Sequence, residues 1–567
     1  MISSKNRKIV TYSLLALVIL SVFISGVIFP PFHGYYTTDE NFVADSGVWM
    51  WYGNTPRGLD WPASPSMLFY FIIFGVACFK SIIANSGSIH GLVSIFESFD
   101  LEAYKYLWDR EPYILLGRAF QILIVGYILY KTIRLIHKRN HFLLTDSLRL
   151  FLPVVLVAST ILFANLPVLR PEAISGSVFI LLLARLVFTD SISIKDVVIC
   201  SILFGLILAQ RLIFAFFIPF YIAAVFLLVP QDKIKNVLFS LLVIFVSFIV
   251  FCPFIISDTL VVMKSFVGGI IAKMNDKPMG TFFNMEYLKI YFAEPVNYII
   301  LALSIIGIVK LLRTKKVIYY VLIGNLLLFL FLVLRSSKIY DTHVLPAGVV
   351  TLFLIGLGLS YIVELGKKWG FKVALGLVII ISLFHFNEAY AQHKRVHATV
   401  NMHTASNWIL TLPSGTKMLL NPELEFYIPK TQECLLREKT QNLDTLKMIK
   451  KLNFLLGNKG AAELSEENLP IIANAFAFED EKQYDAQYRI LLKYVSTEKR
   501  KMFDYDIYFD SIELASHSVQ TEEAINEFKA GKYLYMVTDL QLQGIKPIKI
   551  FNKDEGAYYY VYDSRIK

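Results

Sequence analysis

Long apolar segments recur through the first two thirds of the chain and limit its fold more than any other feature. A helix needs about 20 apolar residues to cross a bilayer, and only a helix or a closed barrel satisfies its backbone there. We therefore expect about 11 transmembrane helices. The runs are Val10–Phe29, Pro112–Ile133, Leu150–Leu166, Ala173–Phe188, Val197–Ala209, Leu212–Val229, Val237–Ile256, Val296–Val309, Val317–Leu334, Val344–Val363 and Val373–Phe386; the fifth and sixth could instead form one long helix.

Composition supports a membrane protein and excludes several functional classes. Of the 567 residues, 56% are hydrophobic and only 18% charged, whereas soluble domains carry about a quarter charged residues. The net charge of +10 reflects basic loops, and no basic block with interleaved aromatic residues indicates nucleic-acid binding. Cys78, Cys200, Cys252 and Cys434 form neither a disulfide framework nor a metal-ligand spacing.

The distribution of basic residues between loops predicts the orientation. If the N-terminus is cytoplasmic, the short external loops hold only Arg170, Arg211, Arg335 and Lys338. This is the positive-inside pattern of a multi-pass membrane protein, which we expect to lie in the bacterial inner membrane. The first run lacks a small-x-small cleavage motif before Pro30, so we expect it to be retained. The cytoplasmic loops collect Lys5, Arg7, Lys8, Lys131, Arg134, Lys138, Arg139, Lys195, Lys233, Lys235, Arg313, Lys315, Lys316, Lys367, Lys368 and Lys372.

One further apolar run, Ser64–Ile83, would reverse the sides of all later loops if it crossed the membrane. We therefore interpret it as an interfacial or partly embedded helix. The first external loop then covers residues 30–111, inside a transmembrane catalytic domain of residues 1–389.

Residues 390–567 are more highly charged and contain no spanning run, which predicts an external, soluble α/β domain. The patterns indicate a helix at Thr404–Ile409, an amphipathic helix at Leu443–Leu452 and a strand at Lys417–Leu420. Further strands are expected at Tyr533–Thr538 and in a hairpin of Ile548–Phe551 with Tyr558–Tyr562. Because this domain carries no site signature, we expect it to cap the site or stabilise the fold.

Charged residues that this topology places on the external side form the candidate site. Asp39 and Glu40 follow the first run and Pro30-Pro31 on a predicted loop, and other external loops carry further polar groups. Taken singly, each is explained equally well as a solvated, capping or snorkelling residue. As a group, they favour a clamp for a lipid phosphate and a carboxylate base. The other members are Arg170, Glu172, Arg211, Lys338, Tyr340 and His343.

Several short motifs resemble those of the GT-C membrane glycosyltransferases, especially the protein O-mannosyltransferase and lipid A aminoarabinose transferase branch. They are Tyr-Tyr-Thr-Thr-Asp39-Glu40, the aromatic loop through Trp61-Pro62, Arg118, Arg170-Pro-Glu172, and Lys338 with His343-Val-Leu-Pro346. The resemblance covers residues 1–386. The family often has Asp at the position of Glu172 and an aromatic residue at that of His343.

The resemblance implies an inverting glycosyltransferase that moves a hexosyl or pentosyl group from a polyprenyl-phosphate donor to a hydroxyl of a lipid, glycan or protein. Asp39 would be the base and Glu40 its partner, while the other site residues bind substrate. A divalent metal ion, held by Glu172 or Glu40, remains open; no other cofactor is implied.

Two other functions compete with this interpretation. A transporter or flippase for lipid-linked sugars or polysaccharides would also have many spans, but its charges are expected near the bilayer midplane and often in repeated halves. A polysaccharide polymerase would carry external arginines with a large loop late in the chain. Here the charges lie at one face, no repeat is visible, and the large loop comes first.

Overall fold

The computed structural model describes most of the chain. The described residues are 4–28, 38–53, 64–85, 91–159, 170–257, 285–335, 344–396, 400–421, 424, 428–440, 481–496, 499–509, 518–551 and 559–566. For some residues at the ends of elements, Asp39 and Glu40 among them, the description covers the backbone alone.

The first two thirds of the chain is helical, and each predicted run contains a helix within the described residues. The helices are α1 (Ser4–Phe23, followed by a π-helical turn, Ile24–Ile28), α2 (Thr38–Trp49), α3 (Ser64–Asn85), α4 (Gly91–Trp108), α5 (Glu111–Lys138), α6 (Leu148–Val157), α7 (Pro171–Val187), α8 (Ile194–Gln210), α9 (Ile218–Leu228), α10 (Lys233–Phe251), α11 (Met285–Ala293), α12 (Pro295–Arg313), α13 (Val317–Leu334) and α14 (Leu345–Val396).

Seven of the described helices are long and apolar enough to cross a membrane: α1, α3, α5, α10, α12, α13 and α14. The helices α6 and α9 are shorter apolar elements. Many large apolar side chains on these helices are exposed, for example Leu242 and Phe245 of α10, each at 58%. Apolar side chains on the outside suit hydrocarbon rather than water. The prediction of a polytopic helical membrane protein is therefore confirmed.

The backbone shows where two pairs of neighbouring helices divide, including the fifth and sixth runs, which could have formed one long helix. Arg211 is extended, with φ −152° and ψ 110°, so α8 ends there and a 3₁₀ segment (Leu212–Phe217) leads into α9. Lys367, with φ 46° and ψ −118°, divides α14 into two arms. A Cβ on Gly370 would lie 2.2 Å from the carbonyl oxygen of Ile362, which shows that the second arm turns back against the first. Both runs predicted in this region are therefore separate helices.

The helices α12 and α14 approach each other closely through two glycines. A Cβ on Gly307 would lie 2.1 Å from the Leu354 carbonyl oxygen, and one on Gly358 would lie 2.2 Å from that of Leu303. Membrane helices associate through such small residues because the hydrophobic effect gives them little attraction in lipid. This reciprocal contact fixes the first arm of α14 against α12.

The loops that we expect on the cytoplasmic side meet at one end of the helix bundle. We call this end the basic end. Arg7 pairs with Asp146, and Lys316 pairs with Asp190. Arg139 caps the C-terminus of α7 by donating to the Arg185 carbonyl oxygen at 2.7 Å. These contacts join the ends of α1, α5, α7 and α13, as an alternating topology requires. Which end faces the cytoplasm stays a prediction.

The apolar helix α3 lies at the other end of the bundle. Phe69 contacts Phe120 in the third turn of α5, with ring centroids 4.8 Å apart. Further along α3, Phe74 contacts Tyr113 in the first turn of α5, at 6.4 Å. Ile72, Val76, Phe79 and Ile83 form an exposed apolar stripe. These contacts follow only the start of α5, which supports an interfacial helix, although α3 is long enough to cross a membrane.

The described part of the first long loop packs around a hydrophobic core that is separate from that of the bundle. It combines residues of α2, α3 and α4 with the start of α5, including the buried Trp49, Tyr70, Phe74 and Tyr106. We call it the loop core. Trp51 stacks on Phe71 at 4.2 Å and donates to the Phe71 carbonyl oxygen at 2.7 Å. The loop is therefore a packed unit of helices.

The C-terminal region forms a six-stranded sheet with helices. The strands are β1 (Lys417–Leu420), β2 (Asp504–Phe509), β3 (Ser518–Gln520), β4 (Tyr535–Thr538), β5 (Lys549–Phe551) and β6 (Tyr559–Asp563), in the order β3-β2-β1-β4-β6-β5. The first four in this order are parallel, and β6 pairs antiparallel with β4 and β5. The helices are α15 (Val400–Ile409), α16 (432–440), α17 (Glu481–Val495) and α18 (Thr521–Lys529).

This region confirms the predicted α/β domain and most of its predicted elements. β1 has the predicted bounds, and β5 and β6 form the predicted hairpin. The sequence patterns did not predict β2, β3, α16, α17 or α18. The predicted helix at Leu443–Leu452 lies outside the described residues. The domain boundary at residue 390 also stays a prediction, since α14 continues to Val396.

Candidate functional site

The start of α7 places a carboxylate at the end of the bundle opposite the basic end. Arg170 is the extended N-cap residue, Pro171 occupies the first helical turn, and Glu172 follows. Proline is favoured in the first turn because a backbone N–H at that position would have no acceptor within the helix. The helix dipole stabilises a negative charge at the same end. Glu172 is only 3% exposed, so its charge requires a partner.

Arg211 at the end of α8 supplies that partner. Its guanidinium Nη2 contacts the Glu172 carboxylate Oε1, and the two side chains are 11% and 4% exposed. The pair joins the N-terminal end of α7 to the C-terminal end of α8. Two of the predicted site residues, from different loops, are thus brought together. We call the end of the bundle at which they lie the site end.

The first external loop reaches the same place through α3. Gln210, which precedes Arg211, is fully buried and donates from Nε2 to the hydroxyl of Ser66 near the start of α3. Met50, just after α2, packs with the buried pair Ala209 and Cys252 at the ends of α8 and α10. The polar layer of Ser66, Glu172, Gln210 and Arg211 therefore lies where the loop meets the bundle.

Two oxygens of this polar layer are buried acceptors to which no described residue donates a hydrogen bond: Glu172 Oε2 and Gln210 Oε1. Leaving a buried acceptor unsatisfied costs about 1–3 kcal/mol, and more for a charged group. In native structures such atoms are accounted for by ordered water or an ion, by strain, or by a functional role. Hydroxyl donors of a bound substrate would match both oxygens.

A second polar pair lies on α5, one helical turn apart, beside Phe120, which contacts α3. Arg118 and Gln121 are 4% and 2% exposed, and Arg118 Nη1 donates to the Gly26 carbonyl oxygen at 3.4 Å. That contact ties α5 to the π-helical turn that ends α1. Polar residues inside a spanning helix are costly and commonly functional, so this pair extends the candidate site along α5.

Asp39 and Glu40 lie in the first turn of α2 rather than on a loop. Their predicted loop position is thus wrong: Thr38-Asp39-Glu40 offers residues that favour a helix start, and the helix that follows is buried in the loop core. Their side chains are not among those described. Lys338, Tyr340 and His343 lie outside the described residues altogether. The roles predicted for all five stay predictions.

The orientation of α2 is set by Asp45, six residues after Asp39. The Tyr106 hydroxyl of α4 donates to Asp45 Oδ1 at 2.7 Å, and Arg110 Nη1 lies 3.5 Å from Oδ2. Burial and the neighbouring Asp45 raise the pKa of Tyr106 well above its ordinary value, so the phenol stays a proton donor. Asp45 thus ties α2 to α4.

The described residues contain no group of three or more His, Cys, Asp or Glu side chains suited to a metal ion. Of the two carboxylates suggested as ligands, Glu172 is paired with Arg211, and the Glu40 side chain is not described. A divalent ion therefore remains an untested alternative.

Gln121 and Ser66 were not predicted from the sequence as parts of the site, whereas Gln210 was grouped with Arg211 among the external residues. A usable signal existed for Gln121: with Arg118 it forms a polar i, i+3 pair on one face of an apolar span. Gln210 stands beside an external arginine. Nothing in the sequence distinguishes Ser66 from other serines, because its contact with Gln210 joins residues 144 positions apart.

The fold is similar over almost its whole length to two solved structures of ArnT from Cupriavidus metallidurans. For the apo state the TM-score is 0.44 with 12% identical residues, covering 99% of this chain and 98% of that chain. For ArnT bound to undecaprenyl phosphate the TM-score is 0.42 with 11% identity, covering 98% of each chain. No family model and no curated protein matches the chain. The likeness is distant, so only the chain's own residues support the function proposed below.

Proposed function

We propose that the protein is an integral-membrane glycosyltransferase acting at the external face of the membrane. It would transfer a hexosyl or pentosyl group from a polyprenyl-phosphate donor to a hydroxyl of a lipid, glycan or protein. The observation that carries this proposal is the buried Glu172–Arg211 pair at the site end, with an acceptor oxygen left open on each of Glu172 and Gln210. This arrangement suits a substrate that presents both a phosphate and sugar hydroxyls.

The proposed reaction is a single displacement at the anomeric carbon. The acceptor hydroxyl oxygen attacks that carbon as the proton passes to Asp39, and the bond from the carbon to the phosphate oxygen breaks with its electron pair. Polyprenyl phosphate leaves, and the configuration inverts because attack and departure occur on opposite faces. Glu40 orients the base or the acceptor.

The cations of the site end would stabilise the departing phosphate. Arg170 and Arg211 lie at the ends of α7 and α8, and Lys338 joins them as a prediction. A guanidinium carries five N–H donors, so Arg211 can hold Glu172 and a phosphate oxygen together. Tyr340 and His343 are assigned to substrate binding by their place in the same external loop as Lys338.

Glu172 and Gln210 would recognise the sugar. Oε2 of Glu172 and Oε1 of Gln210 accept hydrogen bonds, and sugar hydroxyls donate them. A site that hydrogen-bonds a hydroxyl rejects analogues lacking it by up to about 10⁴–10⁵-fold, because its buried acceptors are left unpaired. We therefore assign sugar selectivity to this pair.

The test is a transfer assay with the purified protein and a panel of polyprenyl-phosphate sugars, read by mass spectrometry of lipid and protein fractions. Asp39→Asn should abolish transfer while donor binding persists. Asp146→Asn, at the basic end, is the matched control and should retain transfer. Normal turnover in Asp39→Asn would contradict its role as base. Movement of intact donor across vesicles without its consumption would instead indicate a transporter.

A further inference from the structure

The helix α17 of the C-terminal domain has two opposite buried faces. Ala486, Ile490 and Tyr494, spaced every fourth residue, pack into the loop core, where Ile490 is fully buried. Tyr488, Leu492 and Val495 pack with Leu435 of α16 in a separate cluster of the C-terminal domain. A soluble surface helix normally has one apolar face and one polar face. This helix instead joins two cores.

Polar contacts reinforce the side of α17 that meets the loop. The Tyr494 hydroxyl donates to the Glu97 carbonyl oxygen at 3.2 Å, and its ring lies 5.4 Å from that of Tyr104. Lys493 Nζ lies 3.3 Å from Asp100 Oδ2. All three partners belong to α4, so the contact combines apolar burial with directional bonds along one helix.

From α4 the contacts continue to two points, one in α2 and one just after it. Asp100 accepts a bond on Oδ1 from the Tyr52 hydroxyl, just after α2, at 3.3 Å. Two turns further along α4, Tyr106 holds Asp45 in the middle of α2. A change in the seating of α17 on α4 would therefore reach α2 by two separate routes.

We propose that α17 couples the C-terminal domain to the first external loop, and that Ile490 and Tyr494 are positioning residues for the Asp39-Glu40 turn. The domain then sets the position of α2. The claim about positioning rests on the proposed role of Asp39; the mechanical coupling of α17 to α2 does not.

Hydrogen exchange of the full-length protein in nanodiscs tests the coupling without reference to activity. Ile490→Ala should speed amide exchange in α2 and α4 at least tenfold and leave β1 and β4 unchanged. Val495→Ala, a truncation on the opposite face of the same helix, should speed exchange in α16 and leave α2 unchanged. Should Ile490→Ala fold poorly, Ile490→Val should give a smaller change of the same sign. Unchanged exchange in α2 and α4 would overturn the proposal.

Kinetics test the positioning role. In the transfer assay, Ile490→Ala should lower kcat about tenfold or more with little change in KM for the donor, because α2 loses order while the cations of α7 and α8 stay in place. Ile490→Leu should restore kcat. Faster exchange of α2 with unaltered kcat would overturn the positioning role. Normal turnover in Asp39→Asn alongside the exchange result would remove the proposed base and leave the coupling intact.

Discussion

The buried ion pair of Glu172 and Arg211 predicts how single and double substitutions change the stability of the fold. Removing one partner leaves the other charged and buried, which typically costs about 3–5 kcal/mol. Glu172→Gln should therefore lower the unfolding free energy by about that amount and also reduce transfer. The double variant Glu172→Gln/Arg211→Gln should recover part of the stability, since neither charge is then left alone. Denaturant unfolding in mixed micelles measures both changes, and strictly additive losses would show that the two side chains do not interact.

Cys434 allows a pH prediction in the soluble domain. Burial raises the pKa of its thiol to about 11, against an ordinary value of 9.0. The folded state holds the proton more tightly, so this stabilising contribution is complete below pH 9 and falls as the pH rises from 9 towards 11. At pH 8 the folded protein should contain about 100-fold less Cys434 thiolate than the unfolded chain. Iodoacetamide labelling followed by peptide mass spectrometry should show at least that ratio in rate. Equal rates would contradict the shift.

The close contact between α12 and α14 predicts how a substitution at a helix interface changes stability. A methyl group at Gly307 would meet the Leu354 backbone, which cannot move aside, so Gly307→Ala should force the helices apart and lower the melting temperature by several degrees. Gly324 of α13 has no atom near its would-be Cβ, which makes Gly324→Ala the control. That variant should be neutral or stabilise by up to about 1 kcal/mol, because alanine favours helix. Fluorescence-detected gel filtration after heating measures both, and equal effects would argue against the close contact.

The topology of the whole molecule depends on whether α3 crosses the membrane. If α3 is interfacial, single cysteines at Thr38 and Asp109 should label from the same side, and one at Lys138 from the other. All four native cysteines are buried, which keeps background labelling low. If α3 spans, Thr38 and Asp109 should label from opposite sides. A membrane-impermeant maleimide applied to sealed, oriented vesicles distinguishes these outcomes.

Much of the architecture could be read from the sequence because it depends on local chemistry. A long apolar run in a bilayer can only be a helix, and for that reason each predicted run contains one. The bounds of β1 and the β5–β6 hairpin follow from strand patterns. The sequence interpretation erred at Asp39-Glu40, where a polar stretch after Pro30-Pro31 indicated a loop. Tertiary contacts of the following residues with the loop core give α2 there instead.

The candidate site, in contrast to the architecture, depends mostly on tertiary contacts that the sequence does not reveal. Sequence reasoning could select Glu172 and Arg211 as members of one face, because charges beside apolar runs are few and the positive-inside rule assigns them a side. It could not pair them, nor add Ser66 or the two-faced helix α17. Those contacts join residues tens to hundreds of positions apart, and packing geometry rather than local preference selects them. For this protein, hydrophobicity and charge along the chain therefore fix which apolar segments are helices and which loops share an end, while the folded structure alone fixes which side chains meet.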